Sequence, residues 1–162
     1  HKNVPLLLDA YRLYREQSAN SATEALPLVL NIPGEDHLPG VRRCGLLPDP
    51  ELNTLLASAA AFFFPSRIEG FGLPPLEAAV LGTPLAVSKI PPLEEALETF
   101  APGEVCWVEP TDINAWARAF ARAAAGELAR PGVESRRRAL ARFAVSRLGR
   151  DADRTYRRVL GV

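Results

Sequence analysis

The sequence predicts an α/β domain built on a Rossmann-like, doubly wound parallel sheet with helices on both faces, and three observations predict it. Short apolar runs, such as residues 26–32 and 60–64, read as buried strands and alternate with amphipathic or capped stretches that read as helices. Proline and glycine punctuate the chain regularly, with no internal repeat and no low-complexity segment. Between residues 60 and 82 an apolar strand passes through a glycine loop into a helix, the unit on which such sheets place their ligands.

His1, Lys2 and Asn3 lead into Val4, Leu6, Leu7 and Leu8, and Ala10, Tyr11, Leu13 and Tyr14 continue a helical apolar stripe to about Gln17. Asn3 or a neighbour is the expected cap. A doubly wound domain normally opens on a strand, so a helix in first place predicts a sheet lacking its first strand. Residues 18–25 form a polar connector, and residues 26–32 read as a buried parallel strand ending at Pro33-Gly34. The loop 35–40 holds His37, a lone histidine in polar surroundings and therefore read as solvated.

Residues 41–47 suggest a short strand. Arg42 and Arg43 could reach an anion, although exposed arginines at a strand start explain them equally well. Asp49 as N-cap and Pro50 in the first turn then open a helix whose Leu52, Leu55 and Leu56 face the core. Later come a strand over residues 84–88 with Lys89 at its carboxyl end, a short helix over 93–100, and a strand over 105–108. Glu94, Glu95 and Glu98 are read as helix chemistry, since acids suit a first turn. Thr111 or Asp112 caps a helix with Ile113, Trp116, Phe120 and Ala124 on one stripe, which makes Trp116 a core residue. Two C-terminal helices are expected over residues 133–147 and 150–160.

A length of 162 residues suits one domain with a real core, and 48% apolar with 23% charged residues is ordinary for a soluble globular protein. Net charge is zero, and no nucleic-acid partner is expected. From Glu127 onward ten arginines face four acids, a local +6 that leaves −6 on the rest. Such a tail could meet an acidic partner domain or, as a peripheral contact, an anionic membrane surface; a solvated helical face is the simpler account. Cys44 and Cys106 have no second Cys or His at ligand spacing, and both are read as buried free thiols in a reducing compartment. No apolar run approaches the ~20 residues needed to span a bilayer, and no signal peptide is visible. The expected location is the cytoplasm, with the inner face of the membrane as an extension of it.

The chemistry concentrates in residues 65–82. Pro74 or Pro75 is expected to open a helix running to about Leu81, with Gly82 as its C-cap. A glycine loop feeding a helix N-terminus turns backbone amides and the helix dipole toward an anion, so a phosphate-bearing ligand is expected. Glu69 and Glu77 frame this loop with seven residues between them. A carboxylate beside a phosphate site is awkward unless it accepts hydrogen bonds from neutral hydroxyls, such as those of a ribose or a hexose. A nucleotide sugar carries hydroxyls on both sides of its phosphates. The plainer account makes Glu77 a favourable charge in a first helical turn and the glycines an ordinary connection.

The run Glu69-Gly-Phe-Gly-Leu-Pro-Pro-Leu-Glu77-Ala resembles the signature of retaining glycosyltransferases of family four, which have the two-domain GT-B architecture. Pro65-Ser66, Gly82-Thr83-Pro84, residues 87–91, Glu95 and residues 108–112 extend the likeness over most of the chain. The resemblance implies that Glu69 touches the donor sugar at the reacting face. It implies that Gly70, Phe71, Gly72 and Leu73 present amides to sugar and pyrophosphate, that Glu77 holds the ribose, and that Leu47 lies beside the base. Lys2 matches a lysine that helps to neutralise the pyrophosphate, together with an arginine from a preceding strand and loop that these residues do not include. On this resemblance the chain is one domain, the donor-binding C-terminal half of a hexosyltransferase using a UDP- or GDP-sugar, and inactive alone. A saccharide or lipid-linked acceptor is held by an N-terminal domain outside it. No aspartate-x-aspartate pair is visible in the donor region, so neither a metal nor another cofactor is expected. A non-catalytic nucleotide-sugar-binding module and a GT-B-like sugar-nucleotide epimerase remain as alternatives.

Overall fold

The computed structural model describes residues 1–19, 25–35 and 37–144. Helix α1 (Val4–Ser18) is followed by strands β1 (Leu28–Leu30) and β2 (Val41–Arg43), helix α2 (Asp49–Ser58), strand β3 (Phe62–Phe64) and helix α3 (Leu73–Leu81). Strand β4 (Leu85–Ser88), helix α4 (Pro91–Ala96), strand β5 (Val105–Val108) and helices α5 (Ile113–Ala124) and α6 (Val133–Phe143) complete the described chain. Every strand pair is parallel; helices separate β3 from β4 and β4 from β5, whereas no helix is described between β1 and β2.

The strands fall into two sheets. β1 pairs with β2, while β3, β4 and β5 form a second sheet with β4 at its centre. β4 is buried along its whole length, the pattern of a parallel strand covered on both faces. Successive side chains go to opposite cores. Ala86, Val108 and Phe63 meet α1 and α5, whereas Leu85, Val87, Val105 and Phe64 meet the side of α3, α4 and α6. The domain is thus wound on both faces, as the sequence predicts.

On the α1–α5 face the rings of Phe63 and Phe120 stack at 4.0 Å, and Tyr14 stacks on Phe120 at 5.7 Å. The tyrosine hydroxyls hold the segment that enters β1. Tyr11 donates to the Leu26 carbonyl at 2.8 Å, and Tyr14 accepts from the Leu26 amide at 3.2 Å. Trp116 is wholly buried and donates its indole N–H to the Glu109 carbonyl at 3.1 Å, so it is a core residue.

Several boundaries differ from the sequence reading. Asp49 is the first helical residue of α2, and the extended Pro48 takes the cap position, so Asp49 acts through the helix dipole alone. Asn3 occupies the N-cap position of α1 in a left-handed conformation (φ 58°) but makes no side-chain capping bond; its side-chain amide donates to the Pro110 carbonyl at 2.8 Å. α4 begins at Pro91 and ends at Ala96, since two prolines preset its first turn. Cys44 is exposed, against the expectation of a buried thiol, because it lies just past the short β2. α6 ends at Phe143, and the helix expected over residues 150–160 lies outside the described residues. Among those described, no helix is long and apolar enough to cross a membrane.

Candidate functional site

The site is built where β3 ends. α3 opens with Leu73, Pro74 and Pro75 in its first turn, and the two prolines leave Leu73 as the only one of the three with an amide hydrogen. The Leu76 amide is already spent on the Gly72 carbonyl at 3.3 Å. Amide donors at this helix end therefore come from the preceding loop, Gly70 to Leu73, with the aligned peptide dipoles of α3 behind them.

The glycines serve different ends. Gly72 has φ 100°, which favours glycine, and a Cβ there would collide with Leu93 Cδ2. Gly70 faces open space and is exposed, so it keeps that side of the loop free of any side chain. Phe71 turns its ring inward, edge-on to Phe143 at 5.4 Å, which anchors the loop against α6. Leu73 stays largely exposed at the start of α3.

Lys2 and Glu69 lie 67 positions apart in sequence, and the fold joins them: Lys2 Nζ donates to Glu69 Oε1 at 2.6 Å. The Glu69 side chain is only 12% exposed and the Lys2 side chain 49%, so the carboxylate is the better fixed of the two. Lys2 also lies 5.0 Å from the centre of the Phe64 ring, a cation–π contact at the end of β3. The Arg67 amide donates to the His1 carbonyl at 2.9 Å and holds the start of the chain against this loop.

Glu77 is exposed on α3 and lies beyond its first turn, so a simple dipole interaction does not explain it. It lines the same cavity of about 690 Å³ as Lys2, Ser66 and Pro74. Leu47 is half-buried beyond β2, where its amide donates to Asn31 Oδ1 at 3.0 Å. Lys2 thus pairs with Glu69 and lines one cavity with Glu77, whereas Glu69 and residues 70–73 do not line that cavity and Leu47 belongs to the β1–β2 part of the fold. His37, Arg42 and Lys89 are exposed.

Sequence reasoning passed over three residues here. Ser66 is wholly buried, and its Oγ has no hydrogen-bond partner among the described residues. Phe64 was legible only as a strand residue, and Asn31 carried the faint signal of a polar side chain at a strand's carboxyl end. No pattern in the chain announces the Lys2–Phe64 contact, since it depends on how α1 is brought back across β3.

A parallel α/β fold whose β3 passes through a glycine turn into a helix N-terminus has its candidate site at the carboxyl ends of the strands, where this class of fold places ligands. Residues 38–142 match the family described as Glycosyl transferases group 1, and the chain belongs to that family. It is 42% identical over 70 residues to the O-antigen chain mannosyltransferase RfbU of Salmonella typhimurium, covering 43% of this chain and 19% of that protein. It is 40% identical over 116 residues to a glycogen synthase of Mycobacterium tuberculosis, covering 72% of this chain and 26% of that protein. The structure resembles the sucrose-phosphate synthase of Thermosynechococcus elongatus with a TM-score of 0.69 and 25% identity, covering 94% of this chain and 42% of that one. The matches thus span about a fifth to a quarter of the length of these two relatives.

Proposed function

We propose that the chain is the donor-binding domain of a retaining hexosyltransferase that moves a mannose-like or glucose-like unit from a UDP- or GDP-sugar to an acceptor. The acceptor, a saccharide or a lipid-linked saccharide, is held by an N-terminal domain, and the enzyme works in the cytoplasm or at the inner face of the membrane. The observation that supports this reading is the joining of Lys2 to Glu69, the residue that precedes the loop 70–73, with Glu77 on the same cavity as Lys2.

The chemistry follows from charge. As the glycosidic bond breaks, negative charge grows on the leaving diphosphate, and donors already aimed at it lower the barrier. Lys2, the amides of residues 70–73 and the α3 dipole supply that stabilisation. Glu69 accepts hydrogen bonds from the hexose hydroxyls, and its link to Lys2 keeps the carboxylate and the cation in register with the sugar and the phosphate. Glu77 accepts from the ribose, and Leu47 packs beside the base.

Titration of the full-length protein tests the division of labour. Glu77→Ala is expected to weaken binding of the nucleoside diphosphate itself by about 10–100-fold, the loss of hydrogen bonds to a charged group. Glu69→Ala is expected to spare the nucleoside diphosphate and to weaken the complete sugar donor by a similar factor. The reverse pattern would contradict both assignments.

A further inference from the structure

Among residues 70–73, Phe71 alone turns a side chain inward. Gly70 faces open space, Gly72 takes φ 100°, and Leu73 is largely exposed. Phe71 therefore stands between two residues whose backbone is the least restricted of all, and whatever grips its ring decides how much of that freedom the loop keeps. The grip comes from α6: the Phe71 and Phe143 rings meet edge-on, with centroids 5.4 Å apart and planes at 74°.

Phe143 is the last residue of α6 and only half-buried, a place where helices ordinarily fray. Here that end is held. Arg142 pairs with Glu98, just past α4, and its guanidinium lies 5.4 Å from the centre of the Phe143 ring. One turn earlier, Arg138 donates to the Thr99 carbonyl at 3.0 Å and to Ser135 Oγ at 2.9 Å. α4 also meets the loop from another side, since Leu93 fills the space that a Gly72 side chain would need. The two elements that hold the loop are thus fastened to each other, through Glu98 and Thr99 after α4 and through Arg138 and Arg142 on α6.

Amides stabilise a developing charge best when they are aimed before the ligand arrives, and a loop that must first order itself loses affinity. We propose that Phe143 is a positioning residue for the donor site: through the Phe71 ring it presets the backbone of residues 70–73, and the Arg142–Glu98 pair fixes Phe143 for that task. The proposal rests on the reading that these residues take the diphosphate of the donor. It adds that α6, which contributes no residue to the cavity lined by Lys2 and Glu77, governs the affinity of the site.

The backbone amide spectrum of the full-length protein, recorded first without ligand and then during titration with UDP and with GDP, tests it. Phe143→Leu is expected to lower the order parameters of the ligand-free Gly70 and Gly72 amides from about 0.85 to below about 0.6. It is also expected to weaken nucleoside diphosphate binding by about 10-fold, within the range by which residues off a site modulate it. Phe71→Leu is expected to do the same, and the double variant to bind no more weakly than either, since both remove one contact. Phe143→Tyr keeps the ring and is expected to bind within about twofold of the parent. Should Phe143→Leu not fold, Arg142→Gln, at a side chain 36% exposed, is expected to weaken binding by about threefold, and unchanged affinity there counts against the proposal.

A lower melting temperature with unchanged order parameters and affinity makes Phe143 ordinary packing and overturns the proposal, as do losses that add in the double variant. A parent protein that binds UDP or GDP without shifting the amides of residues 70–73 overturns the donor reading and the proposal with it. A parent that shifts them, with variants that bind as the parent does, overturns the proposal alone.

Discussion

At the scale of single residues the account turns on Lys2 and Gly72. Half-exposed ion pairs contribute roughly 0–1 kcal/mol to stability, so the Lys2–Glu69 pair is not what holds the fold. Lys2→Met in the full-length enzyme is therefore expected to leave thermal unfolding nearly unchanged and to lower kcat by about 100-fold, the usual effect of removing one donor from a developing anion. Unchanged transfer kinetics would remove Lys2 from the mechanism. Gly72→Ala acts differently, because a φ of 100° suits no side chain and the new methyl meets Leu93. It is expected to cost about 1–3 kcal/mol of stability, read by denaturant unfolding. These roles were unequally legible: the glycines and both glutamates stood out in one run of sequence, but Lys2 was distinguishable from an ordinary terminal charge only through family resemblance.

At the scale of elements, α3, β5 and α5 were readable because their ends carry their own chemistry. Gly82 caps α3 in a left-handed turn, and Asp112 accepts from the Ala115 amide at 2.9 Å as α5 begins. α2, α3 and α4 were misplaced by one or two residues at their starts, since proline can stand at the cap, N1 or N2 and the sequence does not say which, and α4 also stops at Ala96, short of the expected residue 100. The arginine-rich stretch has an internal account in its described part. Arg136 Nε donates to the Val80 carbonyl at 2.6 Å and Arg130 to the Gly82 carbonyl at 3.2 Å, placing cations at the carboxyl end of α3. Arg138 donates to the Thr99 carbonyl, and Arg142 pairs with Glu98.

Glu104 fastens the start of α6 in the same region, accepting from the Gly132 amide at 2.7 Å and from the Ala101 amide at 2.6 Å. Burial alone would raise its pKa, but hydrogen bonds from Ser135, Gly132 and Ala101 and the nearby Arg138 outweigh it and hold the carboxyl below its ordinary 4.5. A lowered folded-state pKa adds stability that is present above the unfolded value and lost as pH falls through the folded one. Glu104→Ala is expected to destabilise by about 1–2 kcal/mol at neutral pH, and the difference from the parent should shrink below about pH 4.5. A pH-independent difference in unfolding free energy would count against this anchoring role.

At the scale of the whole molecule, strand-and-helix alternation made the fold class legible. What the sequence did not show is that the sheet parts into two pieces, because pairing between distant strands leaves no local pattern. The functional claim at this scale is that one carboxyl-edge region gathers a diphosphate between Lys2, the 70–73 loop and α3. The most direct measurement is the backbone amide spectrum of the full-length protein during titration with a nucleoside diphosphate. The account predicts that the amides of Gly70, Phe71, Gly72 and Leu73 shift most and saturate together. Saturable binding that leaves these four amides unmoved while others shift would contradict it.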